Sequence, residues 1–176
     1  MNLLWMDVET TGLQPLKHEV IDLAFCLTDR NGEIISEYAT KIKPKYPEFG
    51  DVQALSVNGF LRNRSTWSEA PDSFEAWDKV RVWWDGLKQL ERVYPAGWNP
   101  GFDLGFIRSD CFEAGIQLYH HPLDLLSLVW FKLRDIDRPH LSDLCSLISI
   151  SVDAPEHTAV GDVKRCVECY RRLTHV

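Results

Sequence analysis

The chain has 176 residues, a length that suits one domain with a core of its own. It is 45% hydrophobic and 26% charged, as folded globular proteins are, and no stretch reaches the roughly 18 apolar residues needed to cross a bilayer. A net charge of −7 and a pI near 5.3 argue against a broad phosphate-binding surface. Any contact with a polyanion must then be local and assisted by bound cations.

The apolar opening Met1–Met6 is interrupted by Asp7 and Glu9 and lacks a basic leader, so it does not read as a secretion signal. Five cysteines, an odd number, point to a reduced, cytoplasmic protein. Cys166-x-x-Cys169 has no second pair and does not read as a zinc site.

In chain order, residues 3–9 predict a short buried strand. Residues 19–28 predict a second, with Ile21, Leu23, Phe25 and Leu27 on one face. Asp29-Arg30-Asn31-Gly32 predicts a hairpin turn, after which residues 33–43 pair back. Residues 44–71, rich in Pro, Gly and Asn, predict an irregular stretch with one short helix. Residues 72–91 predict a helix with Phe74, Trp77, Trp84 and Leu87 as its apolar stripe. A strand over 93–98 follows. Asn99 then reads as the N-cap, and Pro100 as the first residue, of a helix stopped by Gly115. Helices are expected over 123–134 and 141–148. Asp153-x-x-Glu156 reads as a capping box for a last helix ending near Leu173. The pattern predicts a single α/β domain over residues 1–176, with a mixed sheet whose first strands are antiparallel and flanked by helices.

Three places carry chemistry. Asp7 and Glu9 alternate onto the same face of the first strand, where two carboxylates repel each other unless a cation joins them. By itself the pair reads more readily as a strand end where the acids reach water. Asp103 opens the helix after Asn99, where an acid is often only a dipole partner. Asp162 shares a helix face with Cys166, Cys169 and Leu173, so it points toward the core. His157 is five positions earlier, off that face and on the preceding loop. Four carboxylates suit hard ions such as Mg²⁺ or Mn²⁺.

Taken together the motifs resemble the DEDD superfamily of 3′–5′ exonucleases, in its histidine-bearing branch. That group includes polymerase proofreading subunits, ribonuclease T and oligoribonuclease. The resemblance rests on Asp7-Val8-Glu9-Thr10-Thr11-Gly12-Leu13, on Asn99-Pro100-Gly101-Phe102-Asp103 and on His157-Thr158-Ala159-Val160-Gly161-Asp162. It spans nearly the whole chain. Asn58 departs from it, standing where the family often has a histidine.

The resemblance implies a ribonuclease H-like fold and hydrolysis with two divalent metal ions, Mg²⁺ or Mn²⁺. Asp7, Glu9, Asp103 and Asp162 are the implied metal ligands, and His157 the implied base. Thr10, Leu13, Phe102 and Asn99 are the implied substrate contacts at the 3′ end. Lys17, Arg62, Arg64, Arg108, Lys164 and Arg165 are possible phosphate contacts, with none singled out. Asp124 reads as a helix N-cap, and the seven tryptophans read as core. Single-stranded DNA is the expected substrate. Alternatives are degradation of short RNA, a non-catalytic nucleic-acid or polymerase-binding module, and a metal-dependent phosphatase. A polymerase partner and a homodimer are both compatible with the sequence, and no membrane association is expected.

Overall fold

The structure is a computed structural model that describes residues 1–87, 92–132, 140–155 and 157–174. Its five strands are β1 (Asn2–Thr10), β2 (Val20–Asp29), β3 (Ile34–Lys41), β4 (Tyr94–Gly97) and β5 (Leu123–Asp124). Its helices are α1 (Val52–Val57), α2 (Arg64–Ser68), α3 (Ser73–Asp85), α4 (Gly101–Glu113), α5 (Leu125–Lys132), α6 (Leu141–Leu147) and α7 (Ala159–Thr174).

The sheet order is β3-β2-β1-β4-β5. β1 pairs antiparallel with β2, β2 antiparallel with β3, and the β1–β4 and β4–β5 pairs are parallel. The expected mixed sheet with antiparallel first strands is present. Its hairpin forms at the expected turn: Gly32 takes φ +86°, and the Asp29 carboxylate accepts the backbone N–H groups of Asn31 and Glu33.

Helices cover both faces of the sheet, which is why β2 is apolar on both sides. Leu23, Phe25 and Leu27 pack with Leu4 and Met6 against α3 and α4. Ala24 and Cys26 pack with Leu3 and Trp5 against α5, α6 and α7. Along α7, Ala159, Val163, Cys166, Tyr170 and Leu173 recur at three- and four-residue steps and form the buried seam. Each such side chain contributes about 1.5–3 kcal/mol on burial, so this seam fixes the helix on the sheet. All five cysteines are free and buried.

Several local expectations are corrected. Residues 47–68 hold a 3₁₀ turn at Pro47–Phe49 and two short helices, not one. Phe74 is exposed; the buried stripe of α3 is Ala76, Val80 and Trp84, and Phe74 lies about 120° round the helix from Val80. Residues 88–91 and 133–134, the expected ends of two helices, lie outside the described residues. Leu123 and Asp124 form a fifth strand ahead of α5.

The N-cap position of α4 is Pro100, and Asn99 sits one residue earlier at φ +55°. Asparagine tolerates this left-handed conformation better than most residues. Asp153 does not cap α7, which begins six residues later. Thr158 Oγ1 instead accepts the Gly161 N–H at 3.3 Å. Glu156 lies outside the described residues. Gly115 ends α4 at φ +83° as expected.

Candidate active site

The site grows from one strand. On the face of β1 toward α7, Leu3 and Trp5 are core residues, and the next two on that face are Asp7 and Glu9. The apolar run changes to carboxylates where β1 outruns β4, whose pairing ends at Trp5–Ala96. The register of β1 against β2 shifts just after Glu9. Glu9 stands opposite Asp22 on β2, and Asp22 opposite Lys41 on β3. Lys41 Nζ meets the buried Asp22 carboxylate at 2.8 Å, so a row of acid, acid and cation crosses three strands.

Asp103 comes from the first turn of α4, held by Leu104, Ile107 and Cys111 in the core. It is 3% exposed, and its Oδ1 accepts the Val8 N–H at 2.9 Å, between the two acids of β1. The turn ahead of α4 is tied from the far side. Asp124 accepts the Asn99 N–H at 3.0 Å while also accepting Leu126 N–H and Ser127 Oγ–H. Asp124 therefore caps α5, as expected, and steadies α4 as well.

The third group comes from α7 and the loop before it. His157 is exposed, at φ +56°. Arg165, about one turn beyond Asp162 on α7, is buried. Its guanidinium donates to Asp162 Oδ1 at 2.8 Å and to the carbonyls of Ala154 and Pro155 at 2.6 and 3.2 Å. It pins the loop that carries His157 to the helix that carries Asp162, and it is not free for a phosphate. A Cβ on Gly161 would run into the Pro155 carbonyl, so this close approach requires glycine. Ligand atoms of Glu9, His157 and Asp162 all lie within 4.8 Å of one another.

Burial and mutual repulsion show in the acidities. Burial lifts Asp7 well above the ordinary carboxylate range, with Asp103, Asp162, Glu9 and Asp22 adding to the effect. Glu9 is pushed up to about 8 by burial, Asp162 and Asp22, against the pull of Lys41. Asp103 is pushed up to about 7 by burial, against the Val8 N–H. The site thus gathers more negative charge than its own cations balance. That is the condition under which a carboxylate cluster accepts divalent ions.

Beside the acids lies a cleft of about 630 Å³, lined by Glu9, Thr10, Leu13, Asp51, Asn58 and Phe102 among others. Leu13 is 72% exposed on the loop after β1, and the Phe102 ring packs tilted against Phe106, ring centroids 5.1 Å apart. That loop is braced by His18, whose Nδ1 accepts the Gln14 N–H at 3.0 Å. Asn99 does not line the cleft.

A family model described as Exonuclease, named for RNase T, matches residues 4–170. The chain belongs to this exonuclease family. The exonuclease domain is 27% identical over 159 residues to a PolC-type DNA polymerase III of Bacillus cereus, covering 90% of this chain and 10% of that one. It is 28% identical over 160 residues to the 3′-5′ exonuclease DinG of Bacillus subtilis, covering 90% of this chain and 16% of that one. A 36-residue stretch, 20% of either chain, is 50% identical to an oligoribonuclease of Buchnera aphidicola. The chain spans about a tenth to a sixth of the length of the first two relatives.

Among solved structures, an E. coli ExoI–ssDNA complex matches with a TM-score of 0.75 at 18% identity, covering 99% of this chain and 40% of that one. The nuclease domain of 3′hExo, a DEDDh family member bound to rAMP, matches with a TM-score of 0.71 at 16% identity, covering 99% and 92%. The fold is that of the ribonuclease H-like exonucleases. The chain is therefore an exonuclease domain, in a family that generally depends on divalent metal. Among the described residues no helix is long and apolar enough to cross a membrane.

The roles of four residues of this exonuclease site were not read from the sequence. Asp22 had a signal, as the one acid within an apolar run of β2. Arg165 had one too, as a cation on the buried face of α7. Asn58, noted in the sequence only as a departure from the family motif, is buried and its Nδ2 donates to the Thr10 carbonyl at 3.0 Å, a bond to a distant partner that the sequence did not signal; His18 had no signal, its partner lying in a loop.

Proposed function

We propose that this domain removes nucleotides one at a time from the 3′ end of single-stranded DNA, releasing nucleoside 5′-monophosphates. One observation carries the reading: a carboxylate-rich centre with excess negative charge opens directly beside a cleft sized for one nucleotide. The residues fit a pair of Mg²⁺ or Mn²⁺ ions, since the donors are carboxylates and two of them, Glu9 and Asp162, converge with His157 within 4.8 Å. Asp7, Glu9, Asp103 and Asp162 would hold the ions. Bound there, the ions supply an ionised water and polarise the phosphodiester.

The chain's own side chains do the rest. His157, on its exposed turn beside Glu9 and Asp162, takes the proton from the attacking water. Leu13 wedges against the last base, Phe102 offers a ring face, and the backbone near Thr10 meets the terminal hydroxyl. Asn99 does not line the cleft, and no contact with substrate is assigned to it.

A second reading, degradation of short RNA, is favoured by the stretch shared with oligoribonuclease. Single-stranded DNA and RNA, from dinucleotides to about thirty nucleotides, assayed with Mg²⁺, Mn²⁺ or EDTA, separate the two. Processive shortening of long DNA with metal supports the first reading. Preference for RNA of two to about five nucleotides replaces it with the second. Full activity in an Asp7→Ala protein overturns both.

A further inference from the structure

The segment from Lys41 to Ser68 differs in charge from the rest of the chain. It holds Lys41, Lys43, Lys45, Arg62 and Arg64 against only Glu48 and Asp51, in a protein whose net charge is −7. Three of its cations lie on aromatic rings. Lys41 Nζ is 4.5 Å from the Trp67 centroid, Lys45 Nζ 4.9 Å from Tyr46, and Arg64 Cζ 5.9 Å from Phe60. Among the described residues, Lys43, Lys45, Arg62 and Arg64 form no salt bridge.

Tyr46 and Phe49 form a pair of rings 6.1 Å apart and remain 47% and 62% exposed. A groove of about 470 Å³ lies alongside, lined by Lys43, Pro47, Phe60, Arg64 and Trp67, with Glu48 as its one acid.

This surface is built. Both oxygens of Glu19 accept backbone N–H groups, from Lys45 and Tyr46, at 2.8 Å. The Lys43 N–H donates to the Pro71 carbonyl at 2.8 Å, and the Asp51 N–H to the Thr11 carbonyl at 2.7 Å. The surface also adjoins the site. Phe49 is two residues from Asp51, which lines the active-site cleft, so their Cα atoms are at most about 7 Å apart.

We propose that residues 43–67 form the track for the single-stranded part of the substrate beyond the nucleotide held in the cleft. Tyr46 and Phe49 stack on its bases, and Lys43, Lys45 and Arg64 meet its phosphates. Exposed flat rings interleaved with unpaired cations are the chemistry that recognises a single strand without regard to sequence. An acidic peptide would use the cations alone. The inference rests on the exonuclease reading, which supplies the substrate.

The test uses two double variants, Tyr46→Ala/Phe49→Ala and Lys43→Ala/Arg64→Ala. Thermal melting checks folding, and Tyr46→Phe serves as a control that keeps the ring. Hydrolysis of a dinucleotide and of a strand of about fifteen nucleotides is followed over a range of salt. The expected result is a KM for the long strand raised roughly tenfold in each double variant, with dinucleotide kinetics unchanged. The cation variant should also lower the salt slope by about 1.4, or about 0.7 per lost phosphate contact. Equal effects on both substrates, or none on the long one, overturn the track. So does an effect of the cations alone, reproduced by polyglutamate as competitor.

Should the unsubstituted protein cleave neither substrate, the exonuclease reading fails separately. Fluorescence anisotropy of the labelled long strand then decides the track, which stands if both double variants lose binding and falls if they do not.

Discussion

The Asp103 carboxylate accepts the backbone N–H of Val8, the residue between Asp7 and Glu9, at 2.9 Å. β4 stops pairing at Trp5, and Asp103 takes up an amide further along the same strand. One acid thus belongs both to the site and to the joint between α4 and β1.

The two roles separate by substitution. Asp103→Asn keeps an oxygen for the Val8 N–H and removes a buried charge. It is expected to melt no lower than the unsubstituted protein in EDTA at pH 8, while losing at least a hundredfold in activity. Asp103→Ala loses the acceptor as well and is expected to be less stable than the Asn variant by about 1–3 kcal/mol. Equal melting temperatures for the two variants would remove the structural role.

The raised acidities set a direction for pH. In the folded protein without metal, Glu9 lies at about 8 and Asp103 at about 7, both above the ordinary carboxylate value of about 4 in an unfolded chain. Between those limits the folded state binds more protons than the unfolded state, so stability falls as pH rises. The contribution is fully present below about pH 4 and gone above about pH 8. Melting temperature in EDTA should decline from pH 5 to 9. Saturating Mn²⁺ should flatten that decline, because bound cations keep the carboxylates ionised in the fold. A curve in EDTA that is level over this range would contradict the charge balance described for the site.

Arg165 joins Asp162 to the loop bearing His157. Arg165→Met should destabilise the metal-free protein by about 3 kcal/mol, since it removes the cation beside the Asp162 carboxylate and the guanidinium bonds that hold the Ala154 and Pro155 carbonyls. Mn²⁺ should recover part of that loss by engaging Asp162. Activity should fall mainly through kcat, because the loop is no longer pinned. A change confined to KM would show instead that Arg165 contacts substrate.

Much of this was legible in the sequence, for definite reasons. Asp7 and Glu9 could be placed on one face because strand periodicity is local, and Asp162 could be turned inward because α7 carries a regular apolar stripe. Phe74 misled because a loose apolar spacing was read as a stripe, while its side chain lies about 120° round the helix from the buried Val80. Asn99 and Asp153 misled because either can cap a helix, and tertiary ties decided otherwise: Asp124 holds the Asn99 turn, and Thr158 replaces Asp153. The partners of Asn58 and Arg165 could not be read, since each depends on a turn or loop conformation that periodicity does not encode.

Asn58 offers a test of one such unread contact. Asn58→Ala frees the Thr10 carbonyl at the wall of the cleft, and a lost hydrogen bond of about 1 kcal/mol corresponds to a KM about five times higher. Asn58→Gln should restore little, its amide being one methylene too far. An unchanged KM in both variants would mean that the cleft wall holds its shape without this bond.

β1 is at once the middle strand of the sheet and the floor beneath the acids. A change in its position would disturb packing on both faces, so the chemistry is locked to the most immovable part of the molecule. Freedom to change what is cut must therefore sit elsewhere, in the loop that carries Leu13 and in the short helices after β3. Proteins sharing this scaffold can diverge in substrate by rebuilding those two segments while the reacting centre stays as it is.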